Sequence, residues 1–216
     1  MRQSIFRTNV VTYAAIGGTR AANLMTYPPS GFRPFESRTR LGAGQARFET
    51  ATRALMTWGV QRGSGILVTE IAEGTGENYP GIAFASDGSP RGMRRDQSVN
   101  GGEHEDRGID GIRSGMSAVL VGTYGPFRFR APVRIVYVTD DENRKGFAYG
   151  TLPGHPLSGE EAFSVERYPD DSVWITIRSF YRTVNSAYRA IPFVPRIVQR
   201  ALTNRYSRAL LPARIS

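Results

Sequence analysis

With 216 residues and 40% hydrophobic content, the chain is long enough to bury a substantial core, so disorder is not its default. The absence of cysteine excludes a disulfide framework, a thiolate zinc site and a cysteine nucleophile, and it fits a reducing, cytoplasmic setting. The formal charge of +9 is carried almost wholly by arginine, Lys145 being the single lysine, and it is segregated: residues 1–64 sum to +7, residues 65–171 to −6 and residues 172–216 to +8.

Such a split reads in two ways. It is a basic face for nucleic acid or anionic membrane, or it is two basic ends folding back on an acidic middle; the second needs no partner and takes precedence. At the N-terminus the early Arg2 and Arg7 are followed by Thr8, Asn9, Thr12 and Tyr13 rather than by an unbroken apolar stretch, so a signal peptide is not expected. No run approaches the roughly 18 apolar residues that a membrane helix needs. A single domain over residues 1–216 is expected, and no internal repeat interrupts it.

Residues 45–58 carry the clearest helical pattern in the N-terminal half, with Phe48, Ala51, Leu55 and Trp58 at spacings of three and four and glycines on either side. A strand follows at residues 65–69. Residues 86–114 have no apolar periodicity, mixed charge and many glycines, which predicts a mobile polar insertion. His104 stands there beside Glu103, Glu105 and Asp106, but without a second histidine one helical turn away, so no metal site is assigned.

Strand signals then dominate at residues 116–122, 127–139, 146–152, 161–168 and 172–182, rich in β-branched and aromatic side chains. The turn cues at Asp140-Asp141-Glu142-Asn143 and Pro169-Asp170-Asp171 separate neighbours at hairpin distance, which predicts an antiparallel meander. The chain is expected to close on a helix, with Ser186 capping a first turn and Pro195 starting a longer run to Leu210, and with Val198, Leu202 and Ala209 on an apolar stripe. Arg196, Arg200, Asn204 and Arg208 share another face at i+4 spacing.

The most distinctive run is residues 146–163, GFAYGTLPGHPLSGEEAF. Together with Thr12-Tyr13, Gly18-Thr19, the stretch Arg40-Leu41-Gly42-Ala43-Gly44, Phe48, Trp58-Gly59 and residues 195–199, it resembles the DUF1990 family, a domain of unknown function. The resemblance covers nearly the whole chain except the insertion. It implies a small soluble protein without a known cofactor. Independently, the order helix, antiparallel strands, long helix is that of an α+β helix-grip fold, in which a curved antiparallel sheet wraps around the C-terminal helix. The analogy with START-like and polyketide-cyclase-like proteins is one of fold.

Three functional readings follow. The first is a domain that binds a small apolar or amphipathic ligand between the sheet and the C-terminal helix, with Phe147, Phe163 and Trp174 lining the cavity and Tyr149 and Thr151 supplying polar tips. The same aromatics are equally readable as plain core. The second is an enzyme in which His155 acts as base with Glu160 or Glu161, since imidazole titrates near neutrality and a carboxylate can orient it. Against it, Pro153-Gly154-His155-Pro156 has the composition of a rigid turn. The third is an interaction module using Arg196, Arg200 and Arg208 on phosphate-bearing partners. Phosphate loops, dinucleotide fingerprints and a nucleophile elbow are absent from the sequence.

Overall fold

The computed structural model describes residues 10–73, 111–124, 127–184 and 210. Seven strands form one antiparallel sheet: β1 (Arg33–Ala43), β2 (Leu67–Ala72), β3 (Ser117–Tyr124), β4 (Phe127–Asp141), β5 (Arg144–Thr151), β6 (Leu157–Arg167) and β7 (Ser172–Thr183). The strand order is β1-β7-β6-β5-β4-β3-β2, so β2 to β7 run as a meander and β1 joins it at the far edge beside β7. Consecutive strands β1 and β2 therefore lie at opposite edges. Helices α1 (Gln45–Met56) and α2 (Gly59–Gly63) carry the chain across the sheet between them.

The apolar spacing read from the sequence places α1 correctly. Phe48, Ala51, Thr52 and Leu55 are its buried residues, on one side at helical spacing. Trp58 adopts the left-handed conformation at φ 62°, which breaks the helix and turns the chain into α2. The side chains of Phe48, Leu55, Trp58 and Val60 join Phe147, Tyr149, Phe163, Ile175 and Ile177 in the larger core cluster, on the helix-bearing face of the sheet.

The opposite face is built by strand alternation. Gly150, Glu160 and Phe180 form one cross-strand row there, one residue out of phase with the row Tyr149, Glu161 and Ser179 on the helix side. A bulge in β4 shifts the register between Ile135 and Tyr137, so that Val136 and Tyr137 both belong to the second core cluster, with Val11, Tyr13, Leu24, Ala148, Leu152 and Phe180. The N-terminal segment covers this face.

Two expectations are corrected. The helix-grip arrangement, a sheet wrapped around a long C-terminal helix, gives way to a seven-stranded antiparallel sheet with two short helices; among the described residues no helix follows β7. The physical reason lies in the core: the apolar side chains of the sheet's helix-bearing face are packed by α1 and α2. Residues 186–209, including Arg196, Arg200 and Arg208, lie outside the described residues. Leu210, which is buried, accepts a hydrogen bond from the Arg47 guanidinium through its carbonyl.

The second correction is β1, which the sequence reading passed over. Its outward side chains are Pro34, Glu36, Arg38 and Arg40, and its other face is mostly Phe35, Ser37 and Thr39, so no apolar alternation advertises it. Most of the expected insertion, together with His104 and its acidic neighbours, lies outside the described residues. Its last residues are anchored: Ile112 is buried and donates its N–H to the Met56 carbonyl at 3.0 Å.

Candidate functional site

The signature block folds as β5, a turn and β6, and the upstream motifs land on it. Thr12 donates its N–H to the Thr151 carbonyl at 3.0 Å, and the Thr12 and Thr151 hydroxyls meet at 2.6 Å. One residue further, Tyr13 lies over Gly150, where an added Cβ would stand 2.4 Å from the phenolic oxygen. That close approach lets Tyr13 donate to Glu160 Oε2 at 2.7 Å.

Glu160 is 2% exposed and receives three further hydrogen bonds from the same segment. The Gly17 N–H donates to Oε2 at 2.7 Å, while the Thr19 N–H and hydroxyl donate to Oε1 at 3.0 and 2.5 Å. Burial pushes the Glu160 carboxyl above its ordinary range, and the donors from Thr19, Tyr13 and Gly17 oppose that shift. The Thr19 hydroxyl also meets the Tyr137 hydroxyl at 2.7 Å. Desolvation, with the Glu160 charge adding to it, lifts the Tyr137 phenol to about 12. All four groups bonded to the carboxylate come from residues 13–19, so this cluster works as a latch for the N-terminal segment rather than as an open reaction centre.

His155 sits in the β5–β6 turn. His155 Nδ1 lies 2.9 Å from both the Leu157 carbonyl oxygen and the Leu157 N–H: with a proton on Nδ1 it donates to the carbonyl, and without one it accepts from the N–H. Burial holds this imidazole down at about 4, with the Leu157 backbone opposing the shift. No hydrogen bond or ion pair joins His155 to Glu160 or Glu161 among the described residues. Glu160 is engaged by the latch, and Glu161, on the other face of β6, accepts the Tyr149 hydroxyl.

A pH effect follows from His155. The unfolded chain takes up the proton near 6.5 and the folded chain only near 4, so the stabilisation from a neutral His155 is complete above 6.5 and lost as pH falls toward 4. Urea unfolding at pH 7.5 and pH 4.5 is expected to show about 2 kcal/mol more loss in the wild type than in His155→Asn, whose amide offers the Leu157 backbone both a donor and an acceptor. Equal losses in both proteins would remove this role.

The expected cavity residues are divided by the sheet. Phe147 and Phe163 are 1% exposed and pack ring to ring at 5.5 Å, with Trp58 against Phe147 at 5.5 Å and Tyr149 against Phe163 at 5.7 Å. They form the centre of the helix-side core. Trp174 points to the opposite face, where the Arg38 guanidinium lies over its ring at 4.6 Å and over Tyr168 at 4.5 Å. Thr151 is buried and held by Thr12 and the Gly159 backbone.

A pocket of about 590 Å³ opens instead where the end of α1 meets the chain entering β3 and the end of β4. Its apolar wall comes from Met56, Ile112 and Val138, and Arg53, Arg113 and Lys145 supply positive charge around it. The sequence reading missed these residues, as well as Tyr13, Thr19 and Tyr137 in the latch. The only signal for the latch was the presence of Thr12-Tyr13 and Gly18-Thr19 in the family resemblance; for the pocket there was none, since its lining is drawn from three distant segments. Among the described residues, no cluster of three or more histidine or acidic side chains could hold a metal, and no helix is long and apolar enough to cross a membrane.

The fold is one seven-stranded antiparallel sheet with two short helices on one face and a latched N-terminal segment on the other. The family described as "Domain of unknown function (DUF1990)" matches residues 12–79 and 98–209, and the chain belongs to it. The unmatched residues 80–97 overlap only the first part of the stretch read as an insertion, 86–114; its remainder, 98–114, is matched by the family. A UPF0548 protein of Deinococcus radiodurans is 35% identical over 109 residues, 47% of this chain and 55% of that protein. A UPF0548 protein of Arabidopsis thaliana is 36% identical over 89 residues, 37% of this chain and 42% of that protein. The chain thus matches about half the length of these curated relatives.

Among solved structures, the hypothetical protein jhp0584 from Helicobacter pylori aligns with a TM-score of 0.49 at 10% identity, over 94% of this chain and 98% of that one. Ara h 8.0201 aligns with a TM-score of 0.42 at 14% identity, over 83% and 99%. Nothing about function follows from either likeness.

Proposed function

We propose that the protein binds a small amphipathic ligand, and that the ligand occupies the pocket between the end of α1 and the β3–β4 region. The observation that carries this reading is the pocket itself: about 590 Å³, within the range of roughly 300–1,000 Å³ typical of small-molecule sites, with an apolar wall and a few charged groups at its border. A concave apolar surface left in water is unfavourable, and a ligand that covers the half-buried Met56 and Val138 recovers that free energy.

The test uses N-phenyl-1-naphthylamine, an uncharged probe whose fluorescence rises when it leaves water. Titration is expected to give saturable enhancement with one site per chain. Ser114→Trp and Met56→Trp place bulk at two points of the lining and are expected to abolish it, while circular dichroism reports an unchanged fold. Ser114 is exposed, so that variant leaves the core alone. Absence of saturable enhancement in the wild type, or its survival in both folded variants, would dispose of the proposal.

A further inference from the structure

We infer that the pocket is selective for amphipaths with a single anionic head group, with Arg53 as the residue that meets the head. The inference rests on the binding reading above and adds the charge of the ligand.

Three cations, Arg53, Arg113 and Lys145, and two acids, Glu49 and Asp140, line the pocket. Asp140 is ion-paired with Lys145, itself a lining residue, so those two charges neutralise one another at the rim. Glu49 Oε1 accepts a hydrogen bond from Gln45 Nε2 at 2.7 Å, directed along the helix. Arg53 is different: it is exposed and makes no ion pair with any described residue. Glu49 stands four residues before it on α1, at the helical spacing that favours a pair, yet no salt bridge forms between them.

The position of Arg53 on α1 gives this charge its use. Met56, three residues later, shares its side of the helix, so the guanidinium stands at the border of the apolar wall formed by Met56, Ile112 and Val138. A ligand with its chain on that wall brings its head to Arg53. A guanidinium offers parallel N–H donors in a plane, which suits a carboxylate better than a neutral hydroxyl or an ammonium. A cationic head would meet Arg53 with like charge, and of the two acids Asp140 is already offset by Lys145, which leaves Glu49 as its one counter-charge among the described lining residues.

The experiment displaces N-phenyl-1-naphthylamine from the wild type with three eight-carbon competitors: octanoate, octanol and octylammonium. Octanoate is expected to compete about five- to tenfold better than octanol, the range of one charge-assisted contact at a partly exposed site, and octylammonium worst. Arg53→Ala should bring octanoate down to the level of octanol without moving octanol. Arg53→Glu should reverse the order of octanoate and octylammonium, and Glu49→Gln, by removing a nearby negative charge, should strengthen octanoate.

The outcomes separate the two claims. If the probe binds and octanol displaces it as well as octanoate does, with neither Arg53 variant changing the order, the charge inference fails and the binding reading stands. If the probe does not bind and none of the three compounds shifts the melting temperature, the binding reading fails first. Both Arg53 substitutions lie on the exposed side of α1, so circular dichroism is expected to be that of the wild type.

Discussion

Replacing Glu160 with alanine is expected to destabilise the protein by about 3–4 kcal/mol, a fall in melting temperature on the order of 10 °C for a chain of this size. The carboxylate is the common acceptor for four donors, the Tyr13 and Thr19 hydroxyls and the N–H groups of Gly17 and Thr19. Removing it leaves these donors without a partner next to an apolar cluster, and each unsatisfied buried group costs about 1–3 kcal/mol, reduced where water enters the space left behind.

Glutamine is not a rescue. One carboxylate oxygen becomes an NH2 group, which must then face N–H or O–H donors on whichever side it lies, so Glu160→Gln is expected to lose about 2 kcal/mol. Because Tyr13 acts through the same acceptor, Tyr13→Phe and Glu160→Ala should be clearly non-additive in a double-mutant cycle. Hydrogen exchange should show residues 11–20 opening in the Glu160 variants while the strands of the helix-side core stay protected. A loss under about 1 kcal/mol for Glu160→Ala, or full additivity with Tyr13→Phe, would mean that the latch contributes little.

Two glycines of the signature block should respond to alanine in different ways. Gly159 has φ +150°, and an added Cβ would stand 2.0 Å from the Phe180 carbonyl oxygen and 2.9 Å from the Tyr181 Cα. Backbone lies in the way, so β6 and β7 must separate locally, and Gly159→Ala is expected to cost more than about 3 kcal/mol or to prevent folding. At Gly150 the obstacle is a side chain, the Tyr13 ring, with its oxygen 2.4 Å and its Cε1 2.8 Å from the added Cβ.

Gly150→Ala should therefore displace Tyr13 from Glu160 and cost about 2 kcal/mol, and this cost should largely vanish in a Tyr13→Ala background. The Gly159→Ala defect should persist in the same background. Urea unfolding of the six proteins reads both expectations. A Gly150→Ala cost that is unchanged when Tyr13 is already alanine would show that the glycine serves the strand and not the latch.

The strands from β3 to β7 were legible because their information is local. Val173, Ile175 and Ile177 alternate with Trp174, Thr176 and Arg178, and that alternation assigns faces within one strand without reference to any other. Turn residues likewise fixed the hairpins, and α1 followed from four apolar positions at helical spacing. β1 was missed because an edge strand with one exposed, charged face carries little apolar signal. The helix-grip expectation went astray in giving that sheet face to a C-terminal helix, whereas α1 and α2 pack it and Leu210 is the described C-terminal residue that joins them.

The chemistry divided the same way. Sequence placed His155, Glu160 and Glu161 within six residues of one another, a spacing that permits an acid/base group as well as a rigid turn. Along a strand, however, neighbours point to opposite faces, and the structure sends Glu160 to the latch and Glu161 to Tyr149. What the sequence determined by itself is the family, the meander and the glycine-rich block, because these rest on short-range pattern and composition. Only the tertiary structure decided that Tyr13 and Thr19 close on a carboxylate more than 140 residues away, and that Arg53, Ile112 and Val138 border one pocket. Those meetings depend on which faces dock, and docking is settled by the summed packing of whole elements, which no local pattern encodes.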